Sequence, residues 1–344
     1  MSSLNKWQRI IVIDLLYLGD LMFATPFFKE LRKNFPRARI DLIVNSNFHP
    51  IMEGNSNLDN VYAYNKKWTF GQNIKFAKLL RNNNYDLGIN IHGSWRTTLL
   101  LKLIGPSYTI GYGKKGQGLF FSRRLTQPRN RHMVDVYLQV LQKMGLKVDA
   151  GLPSLEIKKN IRDEVDKKLI NWGISPKERL IALNTAGTWP TKRWTTKGFA
   201  QLGDELNRKY GKVILVGSQE DLSLVEKIVN LMETKPVIAT GKTSLQELAA
   251  LLARCDLVIS NDSGPVHVAA AVGTSTITIF GPSDDVKYRP LGENHKVVKA
   301  NIDCRPCGKH LCPFGHHQCM TQINPVKILN ELEQSGWLSK KGEK

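Results

Sequence analysis

Residues 257–273 read Leu257-Val-Ile-Ser-Asn-Asp-Ser-Gly-Pro-Val-His-Val-Ala-Ala-Ala-Val-Gly273. The apolar start predicts a buried strand that ends at Ser260-Asn261-Asp262, and the small residues after Gly264 predict a short helix. A helix start offers free backbone N–H groups and a positive dipole end, and ligands of open parallel sheets bind at the carboxyl ends of strands. The segment therefore predicts an anion-binding turn. The alternative is an ordinary strand–helix connection in which an Asp or Ser caps the helix.

Apolar runs alternate with helical patterns along the whole chain. Arg9-Ile-Ile-Val-Ile-Asp14 has the continuous hydrophobicity of a strand covered on both faces, and residues 21–34 carry a helical apolar stripe. The alternation predicts two doubly wound α/β domains, whose strand ends would face each other across a cleft. Further strands are predicted at residues 39–44, 86–91, 180–184, 212–217, 236–239, 256–260 and 275–280, and further helices at 71–83, 95–104, 130–145 and 244–254.

A charged amphipathic segment around residues 158–175 predicts the boundary between the two domains, since Gly173 and Pro176 follow it. The first domain is predicted to span residues 1–172. The second is predicted to span residues 173–344 and to end in a C-terminal helix. A chain of 344 residues gives each domain enough sequence for a core of its own.

The composition is strongly basic, with 49 Lys and Arg against 30 Asp and Glu, a formal net charge of +19. Such an excess indicates an acidic partner: nucleic acid, an anionic membrane surface or a phosphorylated substrate. No apolar run approaches the roughly 20 residues that span a bilayer, and charged residues interrupt the N-terminal apolar patches, unlike a signal peptide. We therefore expect a soluble cytoplasmic protein. No aromatic–basic RNA motif or recognition helix supports nucleic-acid binding, an alternative that depends on charge alone.

Two segments of the second domain carry residues suited to a nucleotide. Asn184-Thr-Ala-Gly-Thr188 follows a predicted strand, and its small residues let backbone N–H groups approach an oxyanion. The adjoining Trp189-Pro-Thr-Lys-Arg-Trp194 adds Lys192, which suits a diphosphate, although a surface loop with solvated charges is the alternative. Glu247 stands three residues after Ser244 in a capping-box pattern, but a carboxylate there could also accept both hydroxyls of a ribose.

Asp20 follows Gly19 at the turn after the first strand. A carboxylate there can cap the next helix and can also face the cleft. Gly111-Tyr-Gly-Lys-Lys-Gly116 matches the spacing of a dinucleotide-binding turn. That motif requires a helix directly after it, and the sequence predicts none, so we discount it.

A group of cysteines lies near the C-terminus, with three histidines beside it. In a cytoplasmic chain such spacing could hold zinc or an iron–sulfur cluster. The second pair is not a clean C-x-x-C, so reduced thiols or a disulfide remain open, and the metal content is unknown. The cysteines are Cys304, Cys307, Cys312 and Cys319, and the histidines are His310, His316 and His317.

Four segments together resemble glycosyltransferase family nine, the ADP-heptose:lipopolysaccharide heptosyltransferases, which have the two-domain GT-B fold. They are Leu18-Gly-Asp20, Lys192-Arg-Trp194, the helix with Ser244 and Glu247, and Asn261–Ala271. The resemblance runs in matching order from about residue 9 to 335, and the cysteine segment resembles the heptosyltransferase II branch most closely. It implies an inverting transfer of heptose from ADP-heptose to the lipopolysaccharide inner core, with no obligatory metal or other cofactor. Heptosyltransferase I or III, another family member and a sugar-nucleotide epimerase are the alternatives.

The resemblance also implies roles for individual residues. Asp20 matches the general base that takes the proton of the acceptor hydroxyl, and Lys192 matches the cation that grips the leaving diphosphate. Glu247 matches the ribose-binding acid and Asp262 the residue that contacts heptose hydroxyls. The other residues on the donor side are Thr185, Gly187 and Thr188 at the diphosphate and Ser263, Gly264 and His267 at the phosphate side of the helix start.

The acceptor side is predicted from basic segments of the first domain. A lipid A–core acceptor carries carboxylates and phosphates, which arginine can bind. The net basic charge also fits docking to an anionic inner leaflet, so we expect the protein at the cytoplasmic face of the inner membrane, without a nucleic-acid partner. The candidate acceptor-binding residues are Arg96, Arg123, Arg124 and Arg131.

Overall fold

The computed structural model describes residues 7–340. The chain divides into two compact units, one that ends at Pro153 and one that begins at Ser154. The predicted boundary after residue 172 differs from this division, because the charged helix Lys159–Asn171 packs against helix Leu245–Arg254 of the second unit. Residues 1–6 and 341–344 of the predicted domain ranges lie outside the described residues.

The first unit is built on a six-stranded sheet in which all neighbouring strands are parallel. The order β3-β2-β1-β4-β5-β6 is that of a doubly wound dinucleotide-binding sheet, in which the winding reverses between the first and fourth strands. Its strands are β1 (Arg9–Asp14), β2 (Arg39–Asn45), β3 (Asn60–Tyr64), β4 (Leu87–Asn90), β5 (Tyr108–Tyr112) and β6 (Arg123–Leu125). Its helices are α1 (Leu18–Phe23), α2 (Thr25–Asn34), α3 (His49–Met52), α4 (Phe70–Arg81), α5 (Trp95–Ile104) and α6 (Met133–Lys143).

The second unit repeats this architecture with a second six-stranded parallel sheet, ordered β12-β11-β10-β7-β8-β9. Its strands are β7 (Leu180–Asn184), β8 (Lys212–Val216), β9 (Val237–Ile238), β10 (Leu257–Asn261), β11 (Thr276–Phe280) and β12 (His295–Lys299). Its helices are α7 (Lys159–Asn171), α8 (Thr196–Lys209), α9 (Leu222–Val229), α10 (Leu245–Arg254), α11 (Gly264–Ala271), α12 (Asp285–Tyr288), α13 (Gln318–Thr321) and α14 (Pro325–Ser335). The predicted α/β class with two doubly wound sheets is confirmed.

The continuous apolar runs become the central strands because both faces of each sheet are covered. Every residue of β7 and β10 is buried, and so are Ile10–Asp14 of β1. In the second unit Phe199 and Leu206 of α8 pack against Ile181 and Leu183. Strands covered on both faces have no polar alternation, which is why their apolar runs predicted them well.

The predicted helix over residues 21–34 is two helices in the structure, with the break at Ala24. Pro26 explains the break, because proline lacks an N–H and its ring disfavours a preceding helical turn. Strands β3, β5, β6 and β12 flank the central strands of their sheets and were not predicted from the sequence. After Gly116 the chain forms only a 3-10 turn at Gly118–Phe120, so the discounted glycine motif does not open an α-helix.

Of the helices within residues 7–340, none is both long enough and apolar enough to cross a membrane.

Candidate functional site

Two neighbouring strands of the second unit, β7 and β10, end in asparagines, and the winding of the sheet reverses between them. Asn184 donates from Nδ2 to Ser260 Oγ at 2.9 Å and to Ser263 Oγ at 2.7 Å. Asn261 donates to the carbonyl of Thr185 at 2.8 Å and accepts from the backbone N–H of Trp194 at 3.0 Å. The two asparagines therefore fix the predicted turns at a topological switch point, where open α/β sheets bind ligands.

These asparagines are residues that the sequence analysis did not assign to the site. Each ends a fully buried strand that begins with an apolar run, which is the signal that could have identified them. The Asn184 Oδ1 atom and the Thr185 Oγ1 atom are buried and have no hydrogen-bond partner among the described residues. Buried polar atoms are nearly always hydrogen-bonded in folded proteins, so this position has spare capacity for a polar ligand.

A buried ion pair joins two of the predicted donor-binding residues. Lys192 Nζ lies 2.7 Å from Asp262 Oδ2, and His267 Nε2 lies 3.5 Å from Asp262 Oδ1. Burial by itself would raise the pKa of Asp262, but the contacts with His267 and Lys192 outweigh it and lower this pKa to about 2. Asp262 is thus a carboxylate at neutral pH, with a cation held against it.

The remaining residues of the predicted diphosphate grip lie in the turn after β7. Thr185 and Gly187 are buried, whereas Thr188 is exposed. The Gly187 carbonyl accepts from Arg193 Nε at 2.8 Å. Ser263 precedes α11 as its N-cap residue and Gly264 is its first residue, but the Ser263 side chain makes no capping hydrogen bond to the helix. Pro265 has no N–H, and Val266 donates its N–H to the Ser263 carbonyl at 3.2 Å, so the start of α11 has no side-chain cap.

Glu247 forms the predicted capping box with Ser244. Its Oε2 atom accepts the Ser244 N–H at 2.7 Å, and the Ser244 hydroxyl accepts the Glu247 N–H at 3.3 Å. Its Oε1 atom pairs with Lys168 Nζ at 2.6 Å. Partial burial would raise the pKa of Glu247, but Lys168 and the Ser244 N–H lower it. The side chain is an ionised carboxylate at neutral pH, and its proposed contact with a ribose stays a prediction.

The turn that carries Lys192 is held by the cysteine-containing segment. Lys192 Nζ lies 4.6 Å above the ring of Trp189, which stacks on His310 at 3.8 Å between centroids. Thr191 donates from Oγ1 to the carbonyl of Lys309 at 2.7 Å and accepts from His317 Nε2 at 2.7 Å through its own carbonyl. This segment therefore positions the Lys192 turn by backbone and ring contacts.

The four cysteines of this segment line one small cavity and are unpaired thiols. Burial raises the pKa of Cys319 to about 11, with the other three thiols adding to the effect. Backbone N–H groups, that of His317 foremost, lower the pKa of Cys312. Within residues 7–340, no group of three or more His, Cys, Asp or Glu side chains is arranged to hold a metal ion.

In the first unit Asp20 lies in the first turn of α1 and is half-buried. Its Oδ2 atom accepts the Tyr17 N–H at 3.4 Å, and its Oδ1 atom accepts the Tyr137 hydroxyl at 3.4 Å. Both hydrogen bonds are long. These hydrogen bonds hold the carboxylate near the carboxyl end of β1, the side of an open parallel sheet where ligands bind.

Asp14, the last residue of β1, is a second carboxylate of this edge that the sequence analysis did not single out. Its Oδ1 atom accepts the Leu16 N–H at 3.0 Å, while its buried Oδ2 atom has no hydrogen-bond partner among the described residues. Burial, reinforced by the charge of Asp20, raises the pKa of Asp14 to about 7. In the sequence, the only sign of this burial is that Asp14 directly follows an apolar run.

The four predicted acceptor arginines lie on three separate segments of the first unit. Arg96, at the start of α5, donates to the carbonyl of Lys66 at 2.7 Å. Arg123 and Arg124 begin β6, which stands three strands from β1 in the sheet, a separation of about 14 Å at the usual strand spacing. They donate to the carbonyls of Lys143 and Gly113, and Arg131 is exposed. Of the four, Arg96 follows the strand that neighbours β1.

Asp14→Asn is expected to stabilise the protein above neutral pH. The folded pKa of about 7 exceeds the ordinary value of 3.8, so wild-type stability falls as the pH rises from about 4 to 7 and then levels off. At about 1.4 kcal/mol per pKa unit, the loss is at most about 4 kcal/mol. Urea unfolding of both proteins at pH 5 and pH 8 measures it. An equal change of both proteins between these pH values would contradict the assignment.

The family model "Glycosyltransferase family 9 (heptosyltransferase)" matches residues 73–318. Lipopolysaccharide heptosyltransferase 3 of Escherichia coli K12 is 31% identical over 294 residues, which cover 81% of this chain and 84% of that protein. A family 9 glycosyl transferase from Veillonella parvula superposes with a TM-score of 0.88 at 28% identity, over 95% of this chain and 97% of the other. The E. coli ADP-heptose lipopolysaccharide heptosyltransferase II superposes with a TM-score of 0.81 at 22% identity, over 95% and 98%.

Proposed function

Because the chain belongs to glycosyltransferase family 9, the heptosyltransferases, we propose that it transfers heptose from ADP-heptose to the lipopolysaccharide inner core. The observation that carries the proposal is the ion pair between Lys192 and the buried Asp262, beside a start of α11 that no side chain caps. A cation and a helix start bind the diphosphate of a sugar nucleotide, and a buried carboxylate accepts hydrogen bonds from sugar hydroxyls.

On the donor side, the ammonium group of Lys192 is proposed to shift partly away from Asp262 and to contact the diphosphate. Asp262 then contacts hydroxyls of the heptose, and Glu247 contacts those of the ribose. Thr185, whose buried hydroxyl has no partner among the described residues, is available to the diphosphate. Gly187 and Thr188 complete the grip, while Ser263, Gly264 and His267 border the phosphates.

The proposed chemistry is a single displacement at the anomeric carbon. The acceptor hydroxyl attacks this carbon and gives its proton to Asp20, while the bond to the diphosphate oxygen breaks and ADP leaves. Negative charge grows on the departing ADP, so Lys192 and the start of α11 stabilise the transition state more than the bound substrate. These groups supply the stabilisation without an obligatory metal or cofactor.

On the acceptor side, a lipid A–core molecule is proposed, with Arg96 as the arginine whose position favours contact. Arg123, Arg124 and Arg131 are proposed to bind more distant anions of the same molecule. The protein would then act at the cytoplasmic face of the inner membrane. No observation besides the net charge favours nucleic acid as the partner.

The position of the heptose is proposed to be that of heptosyltransferase II, from the resemblance of the cysteine segment. The 31% identity with a heptosyltransferase 3 makes the third position the alternative. ADP release from ADP-heptose tests both, with four additions: none, an unheptosylated core, a core with one heptose and a core with two. Release only with the singly heptosylated core supports the second position, and release only with the doubly heptosylated core supports the third. No ADP release with any acceptor, or ADP release that needs no acceptor, would contradict heptosyl transfer.

His317→Ala is expected to lower kcat/KM for the donor about three- to tenfold, the usual effect of losing one hydrogen bond. The reason is that His317 fixes the Thr191 carbonyl next to Lys192. His316→Ala is the matched control, since that exposed side chain accepts the Gln318 N–H and stacks on the exposed Phe314. Steady-state kinetics with varied ADP-heptose measure the change. Equal effects of the two substitutions would refute a positioning role for His317.

A further inference from the structure

One half of the first unit carries cations along the chain without any carboxylate between them. From Leu87 to Val134 the sequence has eight Lys and Arg residues and no Asp or Glu. This span contains β4, α5, β5 and β6. A run of this kind creates a positive field that attracts an extended anionic surface. The eight cations are Arg96, Lys102, Lys114, Lys115, Arg123, Arg124, Arg129 and Arg131.

The same span exposes large apolar side chains. Leu119 is 94% exposed and Trp95 is 51% exposed. The ring of Trp95 contacts that of Phe120 at 5.9 Å between centroids, so the turn that carries Leu119 packs against the start of α5. Arg124 donates from Nη1 to the carbonyls of Gly113 and Lys114, at 3.2 and 3.4 Å. These hydrogen bonds hold the beginning of the same turn.

Lys114 and Lys115 stand exposed on this turn, five and four residues before Leu119. An exposed leucine gains nothing from the backbone of a nucleic acid, but it gains apolar burial among lipid tails. Tryptophan prefers the headgroup level of a bilayer, and lysines beside it meet lipid phosphates. Charge and hydropathy therefore match a single partner, the surface of an anionic bilayer.

We propose that Trp95, Lys114, Lys115 and Leu119 form a basic–apolar face that docks on an anionic lipid bilayer. The inference deepens the proposed function and rests on it, because a lipid-anchored acceptor lies in such a surface. Insertion of Leu119 and Trp95 would supply the apolar part of the binding energy. The two lysines would make the binding depend on anionic lipid and on ionic strength.

Co-sedimentation with vesicles tests the face, with phosphatidylcholine alone or mixed with phosphatidylglycerol. The full-length protein is expected to bind the mixed vesicles and to dissociate in high salt. Leu119→Ser and the pair Lys114→Glu with Lys115→Glu should each lower this binding about tenfold or more. The matched controls lie in the second unit: Leu231→Ser, at a side chain 54% exposed, and Lys227→Glu with Lys235→Glu. These controls should bind as the wild type does.

Heptose transfer to a water-soluble core lacking lipid A separates this inference from the proposed function. The face variants are expected to keep that activity while losing vesicle binding. If the wild type transfers no heptose but binds vesicles, and only the face variants lose that binding, the proposed function is overturned and the docking face is supported. Vesicle binding that is absent, or that the face variants retain, would overturn the face, as would a dimer that Leu119→Ser dissociates.

Discussion

Asp20→Asn is expected to lower kcat about 10²- to 10⁴-fold, the usual contribution of a general base. An amide cannot take the proton of the acceptor hydroxyl, so bond formation at the anomeric carbon loses its base. The amide oxygen can still accept the Tyr17 N–H and the Tyr137 hydroxyl. Folding and ADP affinity should therefore stay close to those of the wild type.

Single-turnover transfer, together with calorimetric titration of ADP, measures this prediction. Glu53→Gln is the control, because Glu53 is an exposed carboxylate of the same unit whose partner is His49 at 3.4 Å. It should transfer heptose at the wild-type rate. Unchanged turnover of Asp20→Asn would remove Asp20 from the chemistry.

Lys192→Ala is expected to abolish measurable transfer and to destabilise the protein by about 3–5 kcal/mol. Asp262 is almost fully buried, and removing its cation leaves an uncompensated carboxylate. The pKa of Asp262, about 2 in the wild type, should rise. The wild-type pair contributes stability that is present above about pH 4 and lost as the pH falls towards 2, so the variant should lack this contribution.

The double variant Lys192→Ala with Asp262→Asn separates the two effects. Asparagine removes the buried charge, so the double variant should regain much of the stability lost in Lys192→Ala. It should stay inactive, because neither the diphosphate cation nor the sugar-binding carboxylate remains. Denaturant unfolding and ADP release, measured on the wild type and both variants, give the comparison. Normal donor affinity and turnover in Lys192→Ala would refute its role.

Much of the architecture could be predicted because the central strands are covered on both faces. β1, β7 and β10 are continuous apolar runs, and their spacing with helices between them indicates parallel winding. β6 could not be predicted, since it is a three-residue edge strand of which two residues are exposed arginines. The helix break at Ala24 follows from Pro26. The apolar stripe continues through this proline, so the pattern alone predicted one helix.

The site could be predicted in its residue types but not in its pairings. Asp262 and Lys192 were both assigned to the donor, yet their contact across 70 positions of sequence depends on the register of β7 and β10. Asp14 was not predicted as a site residue, because the sequence does not show whether a carboxylate at the end of a strand is buried. The raised pKa that follows from burial is visible only in the fold.

The intact mass of a heptose-deficient lipopolysaccharide acceptor, recorded after incubation with ADP-heptose, tests the proposed function most directly. With the wild type, the acceptor mass should rise by one heptose residue for each ADP released. With Asp20→Asn, both should stay at background while ADP still binds. ADP release with no gain in acceptor mass, or no reaction with any inner-core acceptor, would contradict heptosyl transfer by this chain.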